Sequence, residues 1–122
     1  MSFGPHTVTH PVLARAGDRQ AEHEIVESWR RLREEARAAV PFFCYPNGQP
    51  GDYGSREMAV LERAGLLGSV IGTADYADTK TLRRGGRERF QIPRFSWPDD
   101  IARLAQCVSG LERLKQLVLR RA

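Results

Sequence analysis

His6 and His10 stand four residues apart near the start of the chain, in the stretch HTVTHPVLAR. Two imidazoles at that spacing can share one first-row divalent ion, zinc above all, and a third protein ligand would complete an open catalytic site. Thr7, Val8 and Thr9 are all β-branched and Pro11 turns His10 away from helical geometry, so a turn carrying both rings is expected rather than a helix. By spacing alone, chelation and two unrelated histidines in a surface turn both remain open. A second stretch with chemical potential is FFCYPNG, residues 42–48. An apolar run that ends in Tyr45-Pro46 and turns on Asn47-Gly48 leaves backbone amides at the C-terminal tip of a strand, the end where parallel α/β sheets bind ligands. Read plainly, it is a buried strand followed by a turn.

These residues need elements to position them. Four short apolar runs read as strands: residues 2–4, 40–46, 68–73 and 89–95. In the last of these Pro93 implies a sheet edge or a strand end. Between the runs, Ala21, Ile25, Trp29, Leu32 and Ala36 recur at helical spacing behind Asp18, the expected N-cap. A second helix spans 55–64, with Met58 and Leu61 on one face and Gly65 past its end. A third begins near Ser96, where Ser96 and Asp99 fit a capping box, and continues towards the C-terminus with a break at Ser109-Gly110. Beyond the break, Leu111, Leu114 and Val118 form one stripe. Residues 74–86 read as a long surface loop. This alternation predicts an α/β fold with mostly parallel strands, in a single domain over 1–122.

The bulk numbers narrow the partners. A chain of 122 residues supports one modest core. Its 19 basic and 15 acidic residues give a net charge of +4, and only Lys80 and Lys115 are lysines. Arginines such as Arg83, Arg84, Arg87 and Arg89 are interleaved with Glu34, Glu35, Glu62 and Glu88 rather than gathered into a stripe, so a nucleic-acid partner is not expected. Cys44 and Cys107 form no CxxC pattern and read as buried free thiols. No apolar run approaches the ~18 residues of a membrane span. No secretion signal is visible, so a cytoplasmic location follows if Met1 is the true start, and the compartment is otherwise open.

Taken together and in order, His6-Thr7-Val8-Thr9-His10-Pro11, the intervening helix and Phe43-Cys44-Tyr45-Pro46-Asn47-Gly48 resemble the polysaccharide deacetylase family, the NodB-homology group. The later Gly51-Asp52-Tyr53-Gly54, ERAGLLGSVIGT and Ile92-Pro93-Arg94-Phe95 are similar as well, and the resemblance runs from residue 3 to about residue 105. It implies a partial, irregular (β/α) barrel and a metal-dependent hydrolase that removes N- or O-acetyl groups from a carbohydrate polymer, classed with the hydrolases of carbon–nitrogen amide bonds of acetylated sugars. It implies that His6 and His10 hold a divalent metal, zinc first, with Thr7 tying down their turn. The Tyr45 backbone N–H would steady the oxyanion, and Pro46 and Gly48 would shape the substrate end of the strand. Arg94, following Pro93 at another strand end, is placed at the same mouth.

The departures from that family concern its other catalytic parts. The family's adjacent aspartates, one the base and one the third ligand, precede the histidines, whereas here only Met1 and Ser2 precede Phe3. Asp99-Asp100 come too late in the order and suit a helix start. No histidine follows His23, which is expected to be a solvated helix residue. Asp75-Tyr76-Ala77-Asp78 echoes an Asp-x-x-Asp-Trp motif without its tryptophan. The expectation is therefore the later portion of a deacetylase domain lacking its first strand or strands, weak or inactive alone. It should also be open to self-association through an exposed sheet edge. The alternative is a non-catalytic glycan- or protein-binding derivative of the same scaffold.

Overall fold

The computed structural model describes residues 1–119, apart from the side chains at 81 and 116. Helix α1 (Asp18–Glu35) leads to strand β1 (Phe42–Cys44), α2 (Ser55–Arg63) and β2 (Gly68–Ile71). Then come α3 (Thr79–Arg84), β3 (Ile92–Pro93), α4 (Ile101–Ser109) and α5 (Leu111–Leu119).

The three strands form a parallel sheet in the order β1-β2-β3, with Phe43 opposite Ser69 and Val70 opposite Ile92. On the far side of β1 the N-terminal segment adds a parallel bridge between Phe3 and Ala39. Its bonds run from Phe3 N–H to Ala38 and from Val40 N–H to Phe3. Segments consecutive in the chain are thus neighbours in space, and all their C-terminal ends lie on one side. The α/β class and the parallel strands are as expected. A barrel is not formed by these residues, because the sheet stays open.

Packing explains the elements. Helix α1 buries Ala21, Ile25 and Trp29, and α2 buries Met58, Val60 and Leu61. These meet Phe43 and Tyr45 from β1, with Leu13, Leu66 and Phe90 completing the core. Helix α2 ends as predicted: Gly65 takes φ 78°, with Leu66 N–H bonded to Leu61 and Gly65 N–H to Glu62. That Schellman arrangement satisfies the last carbonyls and drives Leu66 into the core.

Several boundaries differ from expectation. Gly17, not Asp18, is the N-cap of α1, and Asp18 sits in its first turn, where a carboxylate still favours the helix dipole. The capping box at Ser96 and Asp99 is not formed; Asp100 caps α4 by accepting from Arg103 N–H at 2.7 Å. The expected loop over 74–86 contains α3, opened by Asp78 and closed by Gly85 at φ 71°. The alternating run at 89–95 begins inside a 3₁₀ turn (Arg87–Phe90), and only Ile92 and Pro93 form strand. Cys44 and Cys107 are free but half-buried. The break at Gly110 is present, at φ 80°; residues 120 and 121 of the expected final helix lie outside the described residues. Among the described residues no helix is long and apolar enough to cross a membrane.

Candidate functional site

The histidine turn leaves the sheet directly after Pro5. Its backbone is not helical: Thr7 takes φ 68° and His10 φ 60°. Such left-handed values are uncommon for side chains with a Cβ and unusual for a β-branched threonine, so this turn must be held from outside. The Cys44 peptide supplies one hold. Its N–H donates to the Pro5 carbonyl at 2.9 Å, and its carbonyl accepts from His6 Nδ1 at 2.7 Å. A carbonyl can only accept, so Nδ1 of His6 carries the proton and Nε2 keeps its lone pair. Thr7 Oγ1 accepts from His10 N–H at 3.0 Å, closing the turn on itself. The two rings stand edge to face with centroids 4.8 Å apart, both exposed.

The strongest hold comes from α1. Glu24, only 3% exposed, accepts from Val8 N–H at 2.6 Å, Thr9 N–H at 2.8 Å and Thr9 Oγ1 at 2.5 Å. Burial pushes this carboxyl up, but the bonds from Thr9 and Val8, with nearby His23, outweigh burial and hold it below the usual glutamate range. Below the turn, Arg56 of α2 ties the scaffold together. It donates to the Leu13 carbonyl at 2.7 Å, to Asp18 at 2.7 Å and to Glu57 at 2.7 Å. Buried Glu57 in turn accepts from Gly54 N–H at the start of α2.

The end of β1 lies beside the histidines, and its groups are more committed than the sequence suggests. Tyr45 N–H, the amide assigned to an oxyanion, donates to the Val70 carbonyl at 3.2 Å. The Tyr45 ring is fully buried, stacked on Tyr53 at 4.3 Å, and burial pushes its hydroxyl well up. Pro46 and Gly48, expected at the substrate face, are buried as well, so they shape the backbone and offer no side-chain surface. Gly48 is required there: at φ 73° a Cβ would lie 2.7 Å from Gly72 N, whose N–H bonds to the Gly48 carbonyl at 2.8 Å. Arg94 is exposed at the end of β3, its N–H on the Thr73 carbonyl at 3.2 Å. Burial raises the Cys44 thiol, and the Arg94 cation acts on it in the opposite sense, which places Arg94 within electrostatic reach of the β1 end.

Two neighbouring histidines, the tautomer of His6 fixed by Cys44, suit a divalent ion as two of its ligands. Among the described residues, no group of three His, Cys, Asp or Glu gathers that could complete the set. Asp75 and Asp78 do not join the pair; Asp78 caps α3 and Asp75 bonds Tyr76 N–H at 2.7 Å. His23 is exposed on α1. A cavity of about 360 Å³ borders the turn, lined by His6, Thr7 and Val8 with Ser28, Arg31 and Leu32. Another, about 300 Å³, lies at the ends of β2 and β3 between Ala74, Phe95, Trp97, Asp99 and Arg103, and includes neither histidine.

Glu24 is the site residue the sequence reading missed. The signal was its place on α1: it follows Ala21 by three residues and so falls on the buried face, a position a carboxylate holds only when it is bonded.

No protein-family model matches this chain, nor does any curated protein. Among solved structures it is similar to the Streptococcus pyogenes deacetylase PplD in complex with acetate. The TM-score is 0.63, with 22% sequence identity over 78% of this chain. The match covers 38% of that protein's chain, and at this identity the likeness is one of fold.

Proposed function

We propose that this chain carries part of a metal-dependent deacetylase site, of the polysaccharide deacetylase type, acting on acetyl groups of a carbohydrate polymer. One observation carries the reading: His6 donates through Nδ1 to the Cys44 carbonyl, which leaves Nε2 beside the His10 ring as a ready ligand. The fold likeness to a deacetylase solved with acetate supports it. A bound divalent ion such as zinc would supply Lewis-acid polarisation of an acetyl carbonyl and a more acidic water.

The chain's own residues then have distinct tasks. His6 and His10 bind, and Thr7 fixes the backbone of His10. The Tyr45 amide serves an oxyanion only by competition with Val70. Its 3.2 Å bond is longer than the usual ~2.9–3.0 Å for N–H···O, and a developing negative charge is the stronger acceptor. Arg94 lines the same mouth and would hold polar groups of the sugar. With only two ligands gathered among the described residues, the chain alone is expected to be weak or inactive. The same shortfall favours a second reading, a non-catalytic derivative that keeps the scaffold and binds glycan or protein.

Zinc titration calorimetry on the chain, beside a His6→Ala/His10→Ala variant, tests the proposal. Binding of one ion that the variant loses supports it. Equal binding by both, or by neither, removes the metal reading and leaves the non-catalytic one.

A further inference from the structure

We infer that Glu24 is a positioning residue for the histidine pair, holding the turn in its two-ligand geometry without touching the ion; the metal part of this inference rests on the reading above. Three donors converge on this one carboxylate, and they belong to Val8 and Thr9, two of the three residues between the histidines. The turn they form is one the chain would not adopt unaided, since Thr7 and His10 both sit at positive φ. A carboxylate that is 3% exposed stays charged only if its lone pairs are used, and here they are used by the turn. The helix that carries it is anchored independently, by Ala21, Ile25 and Trp29 in the core. The consequence is mechanical: α1 is a rigid post, Glu24 is its hook, and the spacing of the imidazoles is set by the hook rather than by the turn's own preferences. Cys44 fixes the tautomer of His6, and Glu24 fixes where His10 stands relative to it.

The test has two arms, one of them free of metal. In the metal-free chain, imidazole nitrogen shifts of His6 and His10 are measured by NMR for the wild type, Glu24→Gln and the milder Thr9→Val, which removes only the hydroxyl donor. The expected result is a shifted and broadened His10 imidazole signal in Glu24→Gln and a smaller change in Thr9→Val, with the hydrogen-bonded Nδ1 signal of His6 retained by Cys44 and core signals unchanged. In the second arm, zinc affinity should fall roughly 10–100-fold in Glu24→Gln, as for other residues that orient metal ligands, and less in Thr9→Val. Unchanged histidine signals in both variants would overturn the inference whatever zinc does. Altered histidine signals in the variants, with a wild-type chain that binds no zinc, would uphold the clamp and sink the metal reading instead.

Discussion

Helix α1 and the α4–α5 hairpin are both amphipathic, yet they end in opposite situations. Helix α1 brings Ala21, Ile25 and Trp29 to 7% exposure or less against Phe43 and Leu61. The hairpin leaves Ile101 at 84%, Val108 at 76% and Val118 at 63% exposed, and α4 buries nothing. Its described ties to the rest include a bond from the Tyr76 hydroxyl to the Cys107 carbonyl at 2.9 Å. An apolar stripe states which face of a helix avoids water; it does not say that a surface exists to receive it. Everything that positions the histidines lies on the α1 side of this divide. The stability of the candidate site should therefore depend on one region and ignore the other.

The sharpest way to break that comparison is Phe43→Ala. Phe43 is fully buried on strand β1, and truncation should cost about 3–5 kcal/mol, a large share of the ~5–15 kcal/mol of a typical domain. Urea unfolding followed by circular dichroism gives the value, and a loss under about 1 kcal/mol would mean the core is not organised around β1. An intermediate effect is expected from acid. Glu24 titrates lower when folded than when unfolded, so its contribution is complete above the ordinary glutamate range and is lost as pH falls through its folded value. Thermal melts should show wild type above Glu24→Gln at neutral pH by about 1.5–3 kcal/mol, the worth of hydrogen bonds to a charged group. The two should converge in acid; a gap that persists there would count against the clamp. The smallest effect belongs to the hairpin, where Ile101→Ser with Val108→Ser should change stability by no more than about 0.5 kcal/mol per site. A larger loss would show that this face is covered.

The same contrast explains what the sequence disclosed. The spacing Ala21, Ile25, Trp29 was enough for α1, and Gly65 was enough for the end of α2, because periodicity and a required positive φ are local properties. Helix α3 was hidden because Leu82 is the one apolar residue in TKTLRR, leaving no stripe to count; its Asp78 and Gly85 boundaries were the remaining clue. The non-helical histidine turn followed from Thr7, Val8, Thr9 and Pro11. What held it could not be read in the same way, since two of the three donors to Glu24 are backbone amides, which every residue carries, and the contact joins positions 15 and 16 apart. The commitment of Tyr45 N–H to Val70 was invisible for the same reason: it depends on which strand lies alongside.

The two tryptophans divide between these regions, and that gives the molecule a built-in spectroscopic separation. Trp29 is 7% exposed in the core with the Arg33 guanidinium 5.1 Å from its ring centre, while Trp97 is 85% exposed at the rim of the sheet. Emission from the first reports a dry, cation-capped environment and should shift only when α1 leaves the core. Emission from the second is already that of a hydrated indole, so a blue shift there on adding a ligand would mark something settling on the end of β3. One unmodified chain thus carries an internal reference and a surface sensor in the same spectrum.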